Sequence, residues 1–280
     1  MESLGQSRHL SVMPDEVMEC LDVHPGGRYI DATLGGGGHA AEIMRRAGVE
    51  GSLLGLDRDA RALERAATRL ERMPGRYRLA HGNHGELARL AAEHGFDAVD
   101  GILLDLGVSS DQLDDPARGF SFLREGPLDM RMDPSRGPTA ADLLGCSEPE
   151  ELVRLLRTLG EEPRARRIAA AIVRARRQGP LATTGALAEV VSQAVGGRHG
   201  TRRHPATRTF QALRMAVNEE LPALDAALDA AIACLKPGGR LVVIAFESLS
   251  DRRVKRCLGQ HVGRMRSLQQ GGAVWEGQPP

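Results

Sequence analysis

The sequence predicts an α/β protein, a doubly wound parallel sheet with helices on both faces, interrupted by a second and mostly helical unit. Three observations carry that expectation. From Arg28 to Leu106, short apolar runs containing β-branched residues alternate with amphipathic stretches, the pattern of parallel strands joined by crossover helices. The alternation breaks after Leu106 and resumes only at Arg240. Four consecutive glycines, Gly35–Gly38, follow the first strand-like run, as in turns that bring backbone close to a ligand.

Taken in order, strands are expected at 28–33 (RYIDAT), 52–57 (SLLGLD), 77–81 (YRLAH) and 99–106 (VDGILLDL). Between the second and third, 59–72 opens on an N-cap carboxylate, puts Leu63, Ala66, Ala67 and Leu70 on one face, and stops before Pro74. The segment 107–136 is rich in Asp, Gly, Ser and Pro and reads as ordered loop, whereas 149–178 and 184–195 read as helical. A helical run over 207–235, bent or divided at Pro222, leads back through the turn KPGG to a fifth strand at 240–246 (RLVVIAF). This places a sheet domain over 1–106 and 216–280 and a helical insert over 107–215.

At 280 residues and 30.1 kDa the chain is long enough for two such units. With 41 % hydrophobic and 26 % charged residues it matches neither a disordered nor a fibrous protein. No apolar run suits a membrane span and the first residues carry no signal segment, so a cytoplasmic location away from membranes is expected. The single cysteines Cys20, Cys146, Cys234 and Cys257 form no CxxC pair, which argues against a zinc or disulfide framework and for reduced, mostly buried thiols. The net charge of zero hides an asymmetry. Between Glu151 and Met215 lie thirteen arginines, four glutamates and no lysine, a local excess of +9. Arg-biased codon usage explains arginine over lysine but not this clustering, which suits a phosphate-facing surface.

Asp31, Asp57 and Asp105 all stand at predicted strand ends, where loops of a doubly wound sheet converge on a ligand. The turn lacks the third glycine of the dinucleotide fingerprint and has no lysine for phosphate. Asp57, twenty-two residues beyond Gly35, is placed to accept from both hydroxyls of a ribose. Asp31, just before the glycines, suits a ligand with a positive ammonium and would repel a pyrophosphate, which points to S-adenosylmethionine rather than NAD. Alternatively, each Asp merely caps the turn or helix that follows.

These residues lie in segments that resemble the bacterial 16S rRNA cytosine-N4 methyltransferases, the RsmH or MraW family. The resemblance spans roughly His9 to Lys255 and rests on HLSVMPDEV, DATLGGGGHA, LLGLDRD, GILLDLGVSSDQLDDPARGFSFLREGPLDMRMDP, GEEPRARRIAAAIV and HPATRTFQALRMAVNEEL. It implies a class I S-adenosylmethionine-dependent methyltransferase sheet with a helical substrate-recognition domain inserted after strand four. It further implies that Gly37, Gly38, His39, Asp57, His84, Asp105 and Gln112 contact the cofactor, His84 standing where the family usually has an aromatic residue.

Methylating a cytosine exocyclic amine is an in-line displacement, so positioning dominates. The amine is a weak nucleophile and needs acceptors for its protons, for which Asp105 and the Leu106 and Gly107 carbonyls are the candidates. DLGVSS lacks the prolines and the aromatic residue of the motif that DNA amino-methyltransferases place there, so a stacking platform must come from elsewhere. Phe120, Phe122 and Phe210 are candidates, or ordinary core. Asn218 and Arg208 are expected to reach the target nucleotide, and Arg202 and Arg203 to clamp RNA phosphates around an extruded base. No cysteine stands where a C5-methylase needs its nucleophile.

Two departures from the family pattern stand out. After strand five the family's SFHSLEDR is AFESLSDR here, with Glu247 offering a carboxylate to accept a proton, and the tail QQGGAVWEGQPP leaves a seventh strand absent or makeshift. The expected activity is N4-methylation of a cytidine in the decoding region of 16S rRNA within the small ribosomal subunit, by a monomer or homodimer without a metal. The alternative is a non-catalytic RNA-binding or ribosome-assembly factor retaining the fold; a nicotinamide dehydrogenase is disfavoured by the acidic turn.

Overall fold

A computed structural model describes residues 11–197, 204–262, 264–267 and 273–276. Two compact units emerge, one made of Val12–Asp57, Arg65–Gly107 and the chain from Pro222 onward, the other of Arg58–Glu64 and Val108–Leu221.

The first unit holds a sheet of β1 (Arg28–Asp31), β2 (Ser52–Asp57), β3 (Arg76–His81), β4 (Val99–Asp105) and β5 (Leu235–Ile244), in the order β3-β2-β1-β4-β5. Every pairing is parallel, and the order reverses between β1 and β4, which makes the carboxyl ends of these strands the ligand-binding edge. The alternation of side chains across the pleat sends Ile30, Leu54, Leu56, Ile102 and Leu104 to one buried layer, shared with α4 (Leu87–His94) and the apolar positions Leu224, Ala227, Leu228 and Ala231. Tyr29, Leu53 and Leu103 are buried on the opposite face, toward α1 (Pro14–Cys20) and α2 (Gly38–Ala47). Helix α3 (Ala60–Leu70) follows β2, and Asp59 caps it through Arg61 N at 3.1 Å.

Strand limits depart from expectation where turn chemistry intervenes. β1 ends at Asp31 because Leu34 N reaches across to Leu56 O, at 2.9 Å, and starts the glycine turn. β5 starts early, pairing Leu235 with Val99, then bulges through the KPGG turn before Arg240 meets Gly101. Of the four thiols only Cys234 is buried; Cys20 and Cys146 are exposed, because each occupies the outer face of its helix. Beyond α12 (Ser248–His261), residues 264–267 and 273–276 pair as a separate two-stranded antiparallel sheet, so among the described residues the parallel sheet has five strands.

The second unit contains α5 (Ser110–Asp114), α6 (Ala140–Cys146), α7 (Pro149–Thr158), α8 (Ala165–Arg176), α9 (Thr184–Val195) and α10 (Thr207–Val217). The expected helical stretch 149–178 is cut at Gly160–Pro163, where Glu161 is left-handed (φ 47°) and Pro163 cannot continue α7. The expected division at Pro222 falls earlier, at Glu219 (φ 50°), and Pro222 sits harmlessly in the first turn of α11 (Glu220–Cys234). The core comprises Leu144, Leu152, Leu156, Ile168, Ile172, Leu187, Val191 and Leu213, with Phe120 and Phe210.

The long loop after α5 is ordered by buried polar side chains. Arg118 donates to Asp59 Oδ2 (2.6 Å) and to the carbonyls of Arg131 (3.1 Å) and Met132 (2.9 Å). Burial alone would push the Asp59 carboxyl up, but Arg118 and Gln112 outweigh it and hold it below the usual carboxylate range. Removing one member of a buried pair strands the other, so Asp59→Ala and Arg118→Ala are each expected to cost about 3–5 kcal/mol in urea denaturation. A loss within about 1 kcal/mol, the worth of a surface pair, would contradict the assigned role.

Candidate active site

The carboxyl edge of the sheet gathers the three acids. Asp31 ends β1 and is 1 % exposed, its Oδ1 accepting from Thr33 N at 3.2 Å. Thr33 Oγ1 in turn accepts from Asp105 N at 2.6 Å, tying the turn after β1 to the end of β4. Asp57 Oδ2 accepts from Gly35 N at 2.8 Å, tying the same turn to β2, and Gly82 N donates to Asp57 O at 2.9 Å, bringing in the loop after β3 with His84. Gly37 caps α2 with a φ of 73°, and a Cβ there would lie 3.0 Å from that of Ala66, so only glycine fits without displacement. Gly38 and His39 open α2 directly over this edge.

Burial pushes the Asp31 carboxyl up to about 7; His39 and the Thr33 N–H pull it down, while the charges of Asp105 and Asp57 push it further up. Asp31, His39, Asp57 and Asp105 therefore share one electrostatic environment. His39 Nε2 lies 3.7 Å from Asp105 Oδ2, too far for a hydrogen bond. Among the described residues, both ring nitrogens of His39 and the Asp105 Oδ1 are buried without a hydrogen-bond partner. Buried polar atoms are normally satisfied, so these mark a place where a polar ligand completes the site.

Five expected site residues do other work. Asn218, 1 % exposed, accepts from Met132 N (2.8 Å) and donates to the carbonyls of Met130 (2.7 Å) and Arg214 (2.8 Å). The expectation that it reaches a nucleotide is corrected on that ground, since its amide is spent on holding backbone. Glu247 is the N-cap of α12, accepting from Leu249 N at 2.8 Å and from the Ser250 N and hydroxyl. Its carboxylate is therefore engaged as a helix cap, and Ser250, the second position at which AFESLSDR differs from the family's SFHSLEDR, is hydrogen-bonded to it. Phe120 and Phe210 are core residues, and Phe122 packs edge-on against Phe210 (4.8 Å between centroids) and beside His204 (4.5 Å), which leaves none of the three as a freely presented ring. In the helical unit, Gln112 lies in the capping box of α5, accepting from Ser109 N (3.1 Å) and donating to Asp59 (3.1 Å). Arg208 is exposed on α10; Arg202 and Arg203 lie outside the described residues. Thr33 and the Asp59–Arg118 pair escaped sequence reasoning, because their partners are distant in the chain.

A doubly wound sheet whose carboxyl edge joins a glycine turn to acidic strand ends, with no lysine for phosphate, defines a class I methyltransferase dependent on S-adenosylmethionine. The ligand fits the orphaned His39 ring nitrogens and the buried Asp31, which suits a positive charge. The chain belongs to the MraW methylase family, whose model matches residues 6–268. It is similar to ribosomal RNA small subunit methyltransferase H of Syntrophotalea carbinolica, 54 % identical over 250 residues that cover 89 % of this chain and 80 % of that one. The protein of the same name from Thermomicrobium roseum is 53 % identical over 256 residues, covering 91 % and 78 %.

A carboxyl whose folded pKa lies above its unfolded value stabilises fully below about pH 4 and loses that contribution as pH rises through about 7. Asp31→Asn, which keeps the oxygen facing Thr33 N, is therefore expected to be more stable than the parent at pH 8 by roughly 2–4 kcal/mol. The difference should close toward pH 4 in denaturation curves of the ligand-free protein. Parallel curves at both pH values would contradict the burial of the charge.

Proposed function

We propose that this chain transfers the methyl group of S-adenosylmethionine to N4 of a cytidine in the decoding region of 16S rRNA. The single observation that carries the reading is the cluster of Asp31, Asp57 and Asp105 around the glycine turn, with unsatisfied polar atoms on His39 and Asp105. The names of the relatives support RNA of the small ribosomal subunit as the substrate.

The cofactor supplies an electrophilic methyl carbon on a sulfonium. Asp57 accepts from ribose hydroxyls, Asp31 faces the positive charge of the amino-acid part, and the backbone at Gly37 and Gly38 approaches closely because neither carries a side chain. Asp105 directs its unpartnered Oδ1 to the amine of the cytosine, holding one proton and accepting it as the new N–C bond forms. Its register is set by Thr33, which anchors the Asp105 N–H. Displacement of this kind depends on alignment of the reacting atoms, and the three acids sit on strand ends rather than on free loops.

The helical unit supplies the RNA surface in this reading. Arg157, Arg166, Arg167, Arg174, Arg177 and Arg208 are exposed there and paired with no carboxylate among the described residues. Such unpaired cations suit phosphates flanking an extruded base.

Two measurements test the proposal. Mass analysis of rRNA digests from cells with and without this gene should show one methyl group fewer on a decoding-region cytidine in the deletion; identical digests would sink it. Calorimetry should detect binding of S-adenosylmethionine and none of NAD. In addition, replacing Arg202 and Arg203 by Ala is expected to weaken RNA binding and flatten the dependence of log K on log salt by about 1.5. An unchanged slope would remove that segment from the RNA surface.

A further inference from the structure

The reaction needs a platform for the cytosine ring, and the three phenylalanines that sequence reasoning offered are core or packed on one another. Phe96 is also buried, under the Arg28 guanidinium. Of the five phenylalanines one remains. Phe246 is 64 % exposed, although withdrawing such a ring from water is worth about 1.5–3 kcal/mol.

Its position is what distinguishes it from an incidental surface hydrophobe. β4 and β5 are in register, Asp105 opposite Ile244, and the ladder continues with Leu106 N donating to Ile244 O at 2.9 Å. Phe246 is two residues beyond Ile244, as Gly107 is two beyond Asp105. A Cβ on Gly107 would be 3.6 Å from Phe246 Cδ2, so the ring lies against the backbone just past the proposed proton acceptor. Gly107 has a φ of 121°, which strains any residue with a side chain, and the absence of one leaves this end of β4 bare. The backbone that carries Phe246 is held on both sides, by the β5 ladder before it and by the Glu247 cap of α12 after it. A rigidly mounted aromatic face beside an acceptor for an amine has the geometry for stacking a base while its exocyclic nitrogen reaches the carboxylate.

We propose that Phe246 is the stacking platform for the target cytosine, replacing from the turn just after β5 the aromatic residue that the end of β4 lacks. The inference rests on the proposed function and assigns the base-binding residue within it.

The test uses the full chain with unmethylated small-subunit particles and, separately, an RNA oligonucleotide carrying a fluorescent cytosine analogue at the target position. Phe246→Ala and Phe246→Leu are expected to lose roughly ten- to hundredfold in kcat/KM for the particles, the worth of one base–aromatic stack. Phe246→Tyr and Phe246→Trp should stay within about threefold of the parent by the same measure. The parent, Tyr and Trp proteins should quench the analogue, whereas the Ala and Leu proteins should not. Calorimetric affinity for S-adenosylmethionine should be the same in all five. A Leu variant as active as the parent would reduce Phe246 to an apolar cover, and a parallel loss of cofactor affinity would assign the effect to the fold or to the cofactor; either overturns the proposal. If the parent quenches the analogue but methylates no cytidine, the proposed reaction fails and the stacking role survives. If the parent does neither, both fail.

Discussion

Burying a carboxylate beside two others is an unfavourable arrangement, and Asp31 is held in it by the end of β1, by one backbone N–H and by the nearby imidazole of His39. In a low-dielectric position such a group resists ionisation unless a positive charge comes near. A sulfonium nucleoside with an ammonium group supplies that charge, so the cost of burying Asp31 becomes affinity for the right cation and rejection of a pyrophosphate. The glycine turn follows from the same constraint, because the ligand's contacts are made by backbone and by acids on three different strands. The strand order decides that those acids converge.

The helical unit answers a different demand. Its long loop between α5 and α6 buries backbone that neither helix nor sheet can satisfy, and such loops persist only when side chains supply the missing partners. Arg118 and Asn218 do so, one through two carbonyls and a carboxylate, the other through one N–H and two carbonyls. Polar residues of this segment thus divide into those that face a ligand and those that hold the loop, and only their hydrogen bonds tell the two apart. Among the described residues the exposed Arg157, Arg166, Arg167, Arg174, Arg177 and Arg208 have no such internal carboxylate partners, and the proposed RNA contact would use that charge.

The chain by itself determined what short-range periodicity and turn chemistry encode. Strand–helix alternation, the break after Leu106, the glycine turn, and the acids at β1, β2 and β4 were legible because each depends on neighbours a few residues away. Boundaries were less so: β1 stopped two residues early and the break before α11 preceded Pro222, since cross-strand bonds and a left-handed Glu219 decided them. Asn218 and Glu247 look like catalytic groups in the sequence and act as structural ones in the fold, while Phe246 reads as the last apolar residue of a strand and emerges as an exposed ring. Only the tertiary structure could decide these three, because a polar group's role depends on whether its partners are already inside the protein. Gly107, against which the Phe246 ring lies, is far off in sequence, as are Met130 and Met132 from Asn218.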